Sequence, residues 1–165
     1  MKLALGLITT YKPWRAEPFA KKKPIAHIIT ETLKAIPAFQ KIKTVEIAVL
    51  LTDNDKMQSL NNEFRDKNSP TNVLSFPDTE IKPQDLLEFV NSKEYIYIGD
   101  IAVGYDIIKQ EAMDAGISLQ DHFTHLIVHG VLHLIGYDHM NDKDADEMMN
   151  LEVKILQGLG IDNPY

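Results

Sequence analysis

The stretch from His129 to His139 reads H-G-V-L-H-L-I-G-Y-D-H, and it constrains the fold more than any other. Upstream of it, Ser118 and Asp121 form the pattern of a helix N-cap and its partner three residues on. Phe123, Leu126, Ile127, Val128, Val131, Leu132, Leu134 and Ile135 then make the predicted helix apolar nearly all round. A helix of that kind belongs in a core. It nevertheless carries His129 and His133 four residues apart, which places them on one face with Cβ atoms roughly 5–6 Å from each other. A continuing helix would carry His139 about 9 Å further along and about 120° away from that face. Gly136 offers the way out. A glycine can take the left-handed conformation that ends a helix, so that Tyr137 and Asp138 lead the chain back and His139 joins the pair.

Three neutral histidines with an open fourth position are the donor set of a catalytic zinc site, and they predict one Zn²⁺ per chain. The spacing H-x-x-x-H-x-x-G-x-x-H is also that of the metzincin proteases. Their first histidine is followed by the glutamate that acts as general base; here that position is Gly130. His122 and His125 continue the histidine series upstream, either bonding to groups behind the ligands or facing solvent near the helix start. Glu152 falls on the inward side of the last predicted helix. There it either partners a ligand histidine or Arg65, or escapes to solvent end-on.

The chain has 165 residues, of which 44% are hydrophobic and 25% charged, as expected of one domain over residues 1–165 with a real core. It contains no cysteine, which excludes disulfides, thiolate ligands and a cysteine nucleophile. The apolar run Leu3–Ile8 is short and no small-residue cleavage site follows it, so it reads as a strand and not a signal peptide. No run approaches the eighteen or so residues of a membrane span. Net charge is −7, but residues 1–43 hold nine Lys or Arg against Glu17 and Glu31. That segment, at +7, is either a basic face for a polyanion or an ordinary solvated surface.

In chain order, a strand over 2–10 leads through a basic, proline-containing loop to a helix that starts near Pro24 and closes at Pro37. Val45–Thr52 reads as a strand covered on both faces. Asp53 or Asn54 caps a helix that buries Met57, Leu60 and Phe64. Asn72–Phe76, between Pro70 and Pro77, reads as an edge strand. Residues 78–94 read as an acidic loop with at most a short helix. Tyr95–Val103 is another strand, a helix follows that stops at Gly116, and a last helix begins at Asp142 or Asp144. The expected class is α+β: a small mixed sheet of about four strands packed with helices, the zinc helix in the core, and a metalloprotease-like architecture.

With HGVLHLIGYDH, RDKNSPTNVLSFP from Arg65 to Pro77, YIGDIAV, and Met148 with Glu152 downstream, all in order, residues 44–160 resemble the YbeY family of metal-dependent endoribonucleases. The resemblance implies a cytoplasmic, zinc-dependent enzyme that acts on single strands in the maturation of ribosomal RNA, particularly small-subunit RNA. It implies the ribosome or its small subunit, with assembly factors, as partners. It carries the metal ligands onto His129, His133 and His139, and a phosphate-binding arginine onto Arg65. Asp138, beside the third ligand, either takes a proton from the attacking water or orients His139 or a turn amide. Two other functions compete with this one: a metzincin-like peptidase without its glutamate, and a non-catalytic zinc protein that assists ribosome assembly.

Overall fold

The computed structural model describes residues 1–165. Four strands, β1 (Lys2–Thr9), β2 (Thr44–Thr52), β3 (Val73–Pro77) and β4 (Tyr95–Gly104), form one mixed sheet in the order β1-β2-β4-β3. β1 and β2 run parallel, with Leu5 opposite Ile47, and β2 and β4 run parallel, with Val49 opposite Ile101. β3 lies antiparallel to β4 at the outer edge, as its flanking prolines predict.

Within β2, Val45, Ile47, Val49 and Leu51 are buried while Glu46, Ala48 and Leu50 are only partly covered. The strand is therefore fully covered on one face, and the expectation of two covered faces is corrected. The reason lies in α2 (Asn54–Arg65), whose Met57 packs on Leu74 and Ala102 and shields just part of the second face. The Asp53 carboxylate accepts the Lys56 N–H at 2.8 Å and starts this helix. Phe64, expected inside, is 59% exposed, because it sits over the narrow edge strand, where its ring packs edge-on against Phe76 with centroids 5.1 Å apart.

The covered face holds α1 (Lys22–Lys34), which crosses between β1 and β2, and α5 (Leu119–Leu134). α5 starts on the Ser118 hydroxyl, which accepts the Asp121 N–H at 3.0 Å. It is buried through Phe123, Leu126, Ile127, Val128, Val131 and Leu132, as its all-round apolar character requires. The basic loop after β1 is part of the same core. It forms two short 3₁₀ turns that bury Trp14 and Phe19 against Phe123, and Trp14 Nε1 donates to the Thr52 carbonyl at 3.0 Å.

Residues 78–94 contain α3 (Leu86–Asn91), whose Leu86 and Val90 are buried in the main core. α4 (Tyr105–Ala115) ends at Gly116, as expected. α6 (Asp142–Gly158) starts at Asp142, the first of the two expected positions, and is capped by Asn141, whose side chain accepts the Asp144 N–H at 2.9 Å. It turns Met148, Glu152, Ile155 and Leu156 inward. No helix is long and apolar enough to cross a membrane.

Candidate metal centre

His129 and His133 project from one face of α5 with ring centroids 4.4 Å apart and their Nε2 atoms 2.9 Å apart. The helix then ends at Ile135. The Gly136 N–H donates to the His133 carbonyl at 3.1 Å and the Tyr137 N–H to the Leu132 carbonyl at 3.0 Å, the paired bonds of a helix terminated by a left-handed residue. Gly136 has φ +97°. A Cβ there would stand 2.1 Å from the Ile81 carbonyl oxygen, so the turn is shaped for glycine by its backbone and by its neighbour. The reversal brings the His139 ring within 5.2 Å of His133 and 5.9 Å of His129, centroid to centroid.

Asp138 enters the same cluster. One donor atom each from His133, Asp138 and His139 lie within 4.8 Å of one another, and His129 adjoins the set through His133. Asp138 Oδ1 accepts the His139 backbone N–H at 2.7 Å and lies 3.3 Å from His139 Nδ1. Its carboxylate thus shapes the turn and faces the histidines at once.

Behind the histidines, Glu152 is 1% exposed. Its Oε1 is 2.5 Å from His129 Nδ1, while its Oε2 meets His125 Nε2 at 3.4 Å and the Tyr165 hydroxyl. Burial pushes the carboxyl up, but hydrogen bonds from His125, His129 and Tyr165 outweigh this and hold it down at about 2. An ionised carboxylate only accepts, so His129 Nδ1 carries the proton and Nε2 is left with a free lone pair toward His133. Burial, reinforced by His129, lowers His133 to about 4, so it is neutral at physiological pH. Two basic nitrogens turned toward each other, one set by a buried carboxylate, are the donor chemistry that zinc requires. The residues present fit the metal.

Of the upstream histidines, His125 contacts Glu152 directly. His122 belongs elsewhere: its Nε2 lies 2.6 Å from Glu111, which also accepts from Asn72 at 3.2 Å.

Arg65, at the end of α2, lines a cleft of about 420 Å³ together with Ser75, Thr79, Glu80, His133 and Asp138. It is exposed and forms no ion pair. The cleft floor is tight. The Ser75 hydroxyl donates to the Gly130 carbonyl at 3.0 Å, and a Cβ on Gly130 would meet Ile101 at 3.0 Å and Ser75 Oγ at 3.3 Å. A larger side chain at that position would press on Ile101 and Ser75, so no general-base glutamate follows His129 and the peptidase alternative lacks its base. Tyr165 and Ser75 carry no signal of their own in the sequence, since both contacts arise from how distant segments pack.

Residues 14–160 match the family model described as Endoribonuclease YbeY. A protein of Sphingopyxis alaskensis named Endoribonuclease YbeY is 52% identical over 123 residues, covering 73% of this chain and 71% of that protein. The solution structure of TM1509 from Thermotoga maritima superposes with a TM-score of 0.56 at 25% identity, covering 94% of this chain and 87% of the other. On the sequence match over most of its length, this chain belongs to the YbeY family.

Proposed function

We propose that this chain is a zinc-dependent endoribonuclease that cuts single-stranded RNA during maturation of ribosomal RNA, small-subunit RNA in particular, in company with the ribosome and its assembly factors. His129, His133 and His139 are the metal ligands in this reading. Family membership supports the reaction class, and one observation carries the mechanism: an unpaired arginine lines the same cleft as His133 and Asp138, and Asp138 joins the histidine cluster.

When bound, zinc supplies a Lewis acid that makes a water acidic and polarises a phosphoryl oxygen. The protein's own groups do the rest. Arg65 forms no ion pair, so its planar fork is free to hold two oxygens of the scissile phosphate and to stabilise the charge that builds there. Asp138 Oδ1 is engaged by the His139 N–H, which leaves Oδ2 to accept a proton from the attacking water. Glu152 keeps His129 in the tautomer that ligates.

The test is metal analysis of the purified protein together with cleavage of a single-stranded ribosomal RNA fragment before and after chelation. About one zinc per chain, cleavage lost on chelation and restored by zinc are expected. A zinc-loaded protein that binds the RNA but never cuts it would instead support the assembly-factor reading. Full zinc occupancy in the triple alanine variant of His129, His133 and His139 would overturn the ligand assignment.

A further inference from the structure

The carboxylate that orients His129 is itself held from outside the helix pair. After α6 the chain reverses: the Gly160 N–H donates to the Gln157 carbonyl and the Ile161 N–H to the Leu156 carbonyl, at 3.0 and 2.9 Å. The following residues run back along the helix, and the Asn163 side chain accepts the Tyr165 N–H at 2.9 Å. This brings the Tyr165 ring edge-on to His125, with centroids 5.5 Å apart, and its hydroxyl onto Glu152 Oε2. Tyr165 is 57% exposed, yet its polar end reaches a carboxylate that is 1% exposed. The other donor to Oε2, His125, stands at 3.4 Å, at the limit of a useful hydrogen bond.

Accepting His129 as a metal ligand, we propose that Tyr165 is a positioning residue of the metal centre: its hydroxyl anchors Glu152 Oε2 and so keeps Oε1 aligned on His129 Nδ1. A carboxylate can rotate about its last bond, and the His129 contact alone does not fix the plane. With Oε2 held by the Tyr165 hydroxyl and Oε1 by His129, the plane is set. The Nδ1–H tautomer is then favoured and the Nε2 lone pair is aimed at the ion. Partners of this outer kind typically alter metal affinity by about 10–100-fold when removed.

The test compares Tyr165→Phe, which keeps the ring on His125 and removes only the hydroxyl, with Tyr165→Ala. Nitrogen-15 NMR of the metal-free protein at pH 8 reads the His129 tautomer, competition with a chelator gives zinc affinity, and thermal melting monitors the fold. In Tyr165→Phe, His129 should become a mixture of tautomers and zinc should bind about tenfold more weakly, with the melting temperature unmoved. Tautomer and affinity like those of the unmodified protein in both variants would overturn the proposal. So would a lowered melting temperature with the tautomer unchanged, which marks a merely structural tyrosine. Should the unmodified protein take up no zinc, the ligand reading falls, while the tautomer measurement still decides the hydroxyl's role.

Discussion

Arg65 ends a helix, lines the cleft beside His133 and Asp138 and forms no ion pair, which leaves its guanidinium open to an anion that enters there. If it meets the phosphate mainly as charge develops, Arg65→Ala should retain fold and zinc while cleavage falls by roughly 10²–10³-fold. Arg65→Lys should recover little, since a point charge does not reproduce a two-pronged donor. RNA turnover, zinc content and melting curves on the same preparations check this, and an alanine variant that cuts at the unmodified rate would end the assignment. His133 makes a second test at the level of one side chain. Its pKa is lowered from 6.5 to about 4 by burial and by His129. Between those two values the unfolded chain takes up a proton that the folded chain refuses. Stability of the metal-free protein should therefore fall as pH drops from about 6.5 toward 4 and level off below. Urea midpoints of the metal-free protein and of His133→Gln across this window measure the effect. A difference between the two that does not vary with pH would contradict it.

Among the elements, those written by periodicity were legible in advance. The apolar surround of α5 announced its burial, and the glycine three residues after His133 announced the reversal that brings His139 back. Residues 11–21 and 78–94 were not legible, because their contributions are single anchors (Trp14, Phe19, Leu86 and Val90) set in irregular backbone where no period marks an inward face. Phe64 misled for the opposite reason: it keeps the helical period but sits over the narrow edge strand, which leaves its ring largely exposed. The Asp138 contact with the histidines, the Glu152 bond to His129 and the Tyr165 hydroxyl depend on side-chain geometry, which spacing alone leaves open between several outcomes. The turn after α5 gives the sharpest test at this scale. Gly136→Ala places an L-residue at φ +97° at a backbone cost of about 1–2 kcal/mol, before the overlap with Ile81 is counted. The melting temperature should drop by at least about 2 °C and zinc affinity should weaken as His139 is displaced. A variant unchanged in both would show that the turn does not set the third ligand.

Across the whole molecule, charge and site are separated. The basic residues cluster in the first 43 positions, around β1 and the start of α1, whereas Arg65 and the histidines lie toward β3 at the other edge of the sheet. Three inter-strand spacings put these edges about 14 Å apart, so RNA touching both would cover several nucleotides. Replacing Lys21, Lys22 and Lys23 together by Gln should weaken RNA binding and flatten its dependence on salt by up to about two in the log–log slope, through three fewer phosphate contacts on a single strand. Binding isotherms over a series of salt concentrations provide the measurement, and an unaltered slope would move the RNA face to Arg65 and Lys67.

The seat of Gly136 against the Ile81 carbonyl bears on how the protein is made. These residues are 55 positions apart, so the reversal that delivers His139 leans on a distant segment and acquires its final shape only when residues 78–94 have docked. Long loops of this kind close after local structure has formed. α5, with His129 and His133, can therefore assemble early, while the placing of His139 waits for residues 78–94 to dock. Zinc, on this account, does not nucleate the protein as it does a zinc finger. On the proposed ligand set, its capture would mark a chain that has already folded, and a chain stalled before residues 78–94 dock would lack the third ligand.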